Sequence, residues 1–126
     1  EPRGQYIGTE PYSKWTKPSC VLIGEDNYSD ASGFPYVYKT LGIGKLIGAP
    51  VPGTMTAVWW ETQIDPSIVF GIPQVGSVGT KEGRYLENMQ VEPDILIYND
   101  PASVLRGEDK QLEAAVKEML KTIDNK

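Results

Sequence analysis

The sequence predicts an α/β fold, and three observations carry that prediction. Short apolar runs rich in β-branched residues, such as "SCVLIGE" (19–25) and "GKLIGAP" (44–50), alternate with stretches whose apolar residues recur at helical spacing. Gly, Pro and Asp clusters separate the runs. A length of 126 residues suits one domain with a real core.

Taken in order, residues 1–17 carry Pro2, Gly4, Gly8 and Pro11 without sustained periodicity and read as an extended connecting arm, leaving 18–126 as the folded unit. "SCVLIGE" follows Pro18 and reads as a strand buried on both faces. A bend at "DNYSD" leads into a helix, with Ser32 as N-cap, Pro35 in the first turn, Gly42 as the stop, and Phe34, Val37, Tyr38 and Leu41 on one face. "GKLIGAP" reads as a second strand.

"TMTAVWWETQ" (54–63) and "SIVFGIP" (67–73) flank Asp65-Pro66 and predict an antiparallel hairpin, on which adjacent Trp59 and Trp60 take opposite faces. One of them is expected in the core and the other at a groove or contact. Residues 74–83 read as a Gly-rich loop or weak strand, and "DILIYND" (94–100) as a further strand. Asp100-Pro101 predicts an N-cap and N1 pair. The last helix shows a stripe of Leu112, Ala115, Val116, Met119, Leu120 and Ile123, with Glu113 and Lys117 paired on its polar side.

Composition narrows the function. A net charge of -5 without a basic cluster removes the attraction to phosphate backbones, so nucleic acid is not an expected partner. No apolar stretch approaches the roughly 20 residues of a membrane span. The lone Cys20 allows no intrachain disulfide and reads as a packing residue, leaving the compartment open, with a periplasmic or extracellular setting favoured. The chain begins at Glu1 rather than Met, which reads as a processed or excised piece.

Among motifs, Gly42, Gly44 and Gly48 follow a helix rather than a strand, and the nucleotide-loop reading fails. Asn27-Tyr28-Ser29 is a three-residue glycosylation match that arises often by chance. Glu87, Glu92 and Asp94 lack His or Cys neighbours and make a poor zinc set, so no metal or cofactor is expected. Ser29 is different, because a strand running straight into a helix start places backbone N–H groups, that of Asp30 first, near its hydroxyl. An oxyanion there would be stabilised by those donors and the helix dipole. Yet the chain contains no histidine to activate a serine.

"SDASGFPYVYKTLGIGKLIGAP" (29–50), followed by "YLENMQVEPDILI" (85–97), resembles the C-terminal part of the catalytic domain of tricorn-type serine peptidases, relatives of the tail-specific processing peptidases. The resemblance runs from about residue 18 to 123. It implies a crotonase- or ClpP-like core with a mixed sheet and flanking helices, of which this chain is an incomplete half. It further implies Ser29 as nucleophile, the Asp30 N–H as an oxyanion donor, and Glu87 as the carboxylate that orients a catalytic histidine. Val91, Pro93 and Asp94 match a shared structural element. Tail-specific relatives place a lysine base where this chain has "PGTMTAV" around Thr54, and no lysine stands there. The tricorn-like branch takes its histidine from the upstream half of the domain. The implied partners are a peptide or protein substrate, that upstream half, and further copies in a homo-oligomer. The competing readings are a catalytically silent relative that holds an apolar ligand and an assembly module.

Overall fold

A computed structural model describes residues 15–124. Most of the expected connecting arm therefore lies outside the described residues. The elements are β1 (Cys20–Ile23), α1 (Asp30–Thr40), β2 (Lys45–Gly48), β3 (Thr56–Thr62), β4 (Val69–Gly76), β5 (Ile95–Leu96), α2 (Pro101–Leu105) and α3 (Lys110–Asp124). They form a parallel three-stranded sheet in the order β1-β2-β5 and a separate antiparallel ribbon, β3-β4.

β1, α1 and β2 make one βαβ unit, with Val21 paired to Leu46 and Leu22 to Ile47. Because side chains alternate along a strand, Val21, Ile23 and Leu46 share one face and Cys20, Leu22 and Ile47 the other. On the first face lies the core, Ile23, Tyr38, Leu46, Val51, Met55, Leu86 and Val91. α3 packs on β1 and β2 and shares a groove with Cys20 and Leu22. β2 is buried on both faces at Leu46 and Ile47, whereas the expectation of two buried faces fails for β1, an edge strand whose Leu22 stays exposed and whose Cys20 is only half-buried. That partial burial, with the charge of Glu118 nearby, raises the thiol pKa.

α1 departs from expectation at its start. Its N-cap is Ser29, whose carbonyl accepts from Ser32 N at 2.7 Å and Gly33 N at 3.0 Å. Ser32 is fully buried one turn inside. Pro35 thus falls mid-helix, where it cannot donate to the Ala31 carbonyl. Asn27 Nδ2 supplies the missing donor at 2.9 Å. The buried face is Ser32, Pro35 and Tyr38, while Phe34, Val37 and Leu41 face out.

Of the expected strand 94–100, residues 94–97 run beside β2 and only Ile95 and Leu96 pair as strand. Asp94 fixes this junction: its N–H donates to the Leu46 carbonyl at 2.8 Å, and its Oδ2 accepts from Leu46 N at 2.8 Å. Lys39 pairs with Oδ1 at 3.1 Å. Partial burial pushes this carboxyl upward in pKa, but the Leu46 N–H and the Lys39 ammonium outweigh it, and the net displacement is downward. A depressed folded pKa contributes stability above the unfolded value near 3.8 that is lost as pH falls through the folded one. Asp94→Ala strands the Leu46 N–H in the core and is expected to cost about 1–3 kcal/mol in urea unfolding, with a flattened acid limb in stability against pH. An unchanged midpoint would remove Asp94 from that role.

β3 lies inside the expected span, and β4 extends to Gly76, so the start of the stretch read as Gly-rich loop or weak strand is strand. Its turn is held by Asp65, which accepts from Ser67 N at 3.0 Å. Trp59 and Trp60 are both exposed, 59% and 62%, so neither packs in the core. α2 is capped by Asp100 on Ser103 N at 2.9 Å, with Pro101 at N1. α3 buries Ala115 but leaves Leu112, Val116, Leu120 and Ile123 half-exposed. The expected Glu113–Lys117 pair is absent, and Glu118 instead pairs with Lys45 and with Lys121.

Candidate functional site

The bend between β1 and α1 is built by Asn27. Its Oδ1 accepts from Gly24 N at 3.1 Å, at the end of β1, while its Nδ2 reaches the Ala31 carbonyl inside α1. One side chain thereby holds strand end and helix start together. This is the structural use of a residue that the sequence offered as half of a glycosylation match. The signal that finds it is Pro35, which frees the carbonyl four residues back.

Between the two anchors the chain must reverse sharply, and Ser29 takes φ 54 and ψ -118. These angles belong to the first central position of a type II′ turn, which glycine prefers. A serine there stores about 1–3 kcal/mol of backbone strain. Ser29 is exposed, and its hydroxyl makes no capping bond to the helix it opens. Asp30 follows as the first helical residue, with its N–H among the first-turn donors that no helical carbonyl reaches. Strain, exposure and an uncapped hydroxyl beside the unpaired Asp30 N–H coincide at one residue.

Glu87 stands on the loop that leads to Val91. The carbonyl of Gly53 accepts from Asn88 N at 3.0 Å, and Val51 and Val91 exchange both backbone bonds at 3.0 Å. Glu87 Oε2 accepts from Met55 N at 2.8 Å. The Thr56 side chain and the Met55 N–H hold its carboxyl below the usual carboxylate range. Met55 continues inward, its sulfur 3.9 Å from where a side chain on Gly33 would begin, and Gly33 lies one turn from Ser29. Glu87 and Ser29 are thus tied to one packing unit, Gly33 on Met55. Among the described residues no hydrogen bond or ion pair joins Ser29, Asp30 and Glu87 to one another.

A groove of about 340 Å³ opens beside this unit, lined by Gly33, Val37, Leu41, Met55, Val78 and Leu86 among others. The two lysines nearest in sequence to Ser29 on its C-terminal side are engaged elsewhere, Lys39 with Asp94 and the Glu92 carbonyl, Lys45 with Glu118. Among the described residues no group of three or more His, Cys, Asp and Glu side chains could hold a metal ion. No helix there is long and apolar enough to cross a membrane.

The bend thus places a strained serine between a strand and a helix on an α/β scaffold. The family model of peptidase family S41 matches residues 2–97, and the chain belongs to that family. The Thermoplasma acidophilum tricorn protease is 29% identical over 124 residues, 98% of this chain and 12% of that protein. A Chlamydia pneumoniae protein is 35% identical over 90 residues, 71% of this chain and 14% of its own length. The crystal structure of the tricorn protease superposes with a TM-score of 0.74 at 27% identity, covering 83% of this chain and 10% of that one. Mature CPAF in complex with lactacystin gives 0.79 at 25% identity, covering 95% and 23%. The expected crotonase- or ClpP-like class therefore holds, and the chain spans only a small part of the relatives it matches.

Proposed function

We propose that this chain carries the nucleophile of a serine endopeptidase, with Ser29 attacking the peptide carbonyl, the Asp30 N–H receiving the oxyanion, and Glu87 orienting the base. The observation that carries the proposal is the backbone of Ser29, because strain at a non-glycine residue persists only where the surroundings enforce it. In the reaction, the Ser29 Oγ–H proton passes to the base as the Oγ–C bond forms. The tetrahedral oxyanion collapses to an acyl-enzyme as the leaving amine takes that proton, and water then reverses the sequence. The base is an imidazole supplied by another segment of the full-length protein, since these 126 residues hold no histidine. A carboxylate kept ionised by the Thr56 side chain and the Met55 N–H suits the task of stabilising an imidazolium. The groove along Gly33 and Met55 suits an apolar side chain of the substrate.

Fluorophosphonate labelling tests the assignment directly, with mass spectrometry locating the adduct. Labelling at Ser29 is expected in the full-length protein, and none in the 126-residue chain alone. A folded, full-length protein that stays unlabelled would remove the peptidase reading in favour of a silent, ligand-holding relative.

A further inference from the structure

Two turns separate β1 from α1, and one side chain closes both. The first runs from Gly24 to Asn27, whose N–H donates to the Gly24 carbonyl at 3.1 Å. The second runs from Tyr28 to Ala31, whose N–H donates to the Tyr28 carbonyl at 3.0 Å, and it holds Ser29 at φ 54 as its first central residue. Asn27 Oδ1 accepts from the N–H of Gly24, which opens the first turn, at 3.1 Å, and its Nδ2 donates to the carbonyl of Ala31, which closes the second, at 2.9 Å. The main chain of Asn27 is gripped as well, because its carbonyl accepts from the hydroxyl of fully buried Ser32 at 3.4 Å.

These bonds differ in what they constrain. Those from the Ala31, Ser32 and Gly33 N–H groups to the Tyr28 and Ser29 carbonyls lie within the helix start, and they survive if α1 turns as a body relative to β1. The Asn27 amide instead spans from Gly24, the residue after β1, to a carbonyl inside α1. A strained serine relaxes unless both sides of its turn are fixed, and this amide fixes them. The task needs an acceptor and a donor in one short planar group: asparagine has both, aspartate has acceptors alone, and alanine has neither.

We propose, on the reading of Ser29 as the nucleophile, that Asn27 is its positioning residue: the amide locks the strained Ser29 backbone between β1 and α1, so that the hydroxyl and the Asp30 N–H keep one orientation towards the substrate carbonyl. Asn27 acts through Ser29 rather than on the substrate. A purely structural role stands beside this one, since Pro35 leaves the Ala31 carbonyl without a helical N–H and Asn27 replaces that donor. The two roles separate at Pro35→Ala, which returns a backbone donor to the Ala31 carbonyl without tying it to Gly24.

In the full-length protein, Asn27→Ala is expected to lower kcat for peptide hydrolysis about 100-fold, with KM changed less than about two-fold. Asn27→Ala/Pro35→Ala is expected to regain the wild-type urea midpoint but not the kcat. Recovery of both would make Asn27 a substitute helix donor and overturn the proposal, as would a kcat within about three-fold of wild type in folded Asn27→Ala. A second comparison needs no activity. Ser29→Gly relieves the strain and raises the urea midpoint of the wild type, whereas in the Asn27→Ala background, where the turn is already released, it is expected to raise it less than about half as much. Equal shifts overturn the positioning role and leave Ser29 as the nucleophile. Both comparisons are repeated with Pro35→Ala present, where the Ala31 carbonyl has its own donor and folding does not depend on Asn27. Failure of fluorophosphonate to label Ser29 in the folded wild type removes the peptidase reading itself, and the positioning role falls with it.

Discussion

Ser29→Ala in the full-length protein is expected to lower kcat for peptide hydrolysis by about 10⁵–10⁶-fold, the scale seen when a catalytic nucleophile is deleted from an assembled triad. The fold should survive, because the Ser29 hydroxyl makes no capping bond and its carbonyl, which receives Ser32 N and Gly33 N, is untouched. The companion variant separates strain from chemistry. Ser29→Gly removes the same hydroxyl but relaxes φ 54, and is expected to raise the denaturant midpoint by the equivalent of about 1 kcal/mol at unchanged m. A stabilised but inactive glycine variant is the signature of strain retained for function. Activity within ten-fold of wild type in Ser29→Ala would place the nucleophile elsewhere.

Gly53→Ala is expected to be among the most damaging single methyl groups at the described glycines. Gly53 has φ 85, and a Cβ there would lie 2.1 Å from the Met89 carbonyl oxygen, with backbone on the far side and no flexible side chain to yield. Strain and overpacking together should cost about 3–4 kcal/mol. The obstructed segment is the one that carries Glu87, since Asn88 N donates to the Gly53 carbonyl. Loss of stability and loss of peptidase activity should therefore arrive together. Gly83→Ala is the control: φ is 64, but nothing lies within 4 Å, so only the backbone term of about 1 kcal/mol applies. Equal effects at the two positions would show that the Met89 contact is not limiting.

Local chemistry made much of the scaffold legible. The βαβ unit, the Asp65-Pro66 hairpin and the Asp100-Pro101 start of α2 follow from residues adjacent in sequence, and each lies where expected. α1 starts three residues before the expected Ser32 cap because Ser29 and Ser32 are equally good caps by type, and backbone strain leaves no mark in composition. The partners of Glu87 are not legible either: the Met55 N–H that donates to it sits 32 positions away. Its proposed role rests on the resemblance of "YLENMQVEPDILI" to the family. The Trp pair departs from expectation because alternation distributes side chains between two faces but does not say whether either face is covered.

The place of the ribbon between β2 and β5 also orders the folding reaction. β3 and β4 are joined by a short turn and can zip together in about 1–10 µs. β2 meets β5 only after the whole intervening segment has looped back, since Ile47 pairs with Ile95. The local hairpin is therefore complete while Ile47 and Leu46 still lack cover. A chain delayed at that stage displays two tryptophans and an open strand edge before it owns a core, and that interval, rather than the finished fold, is when it is most exposed to aggregation.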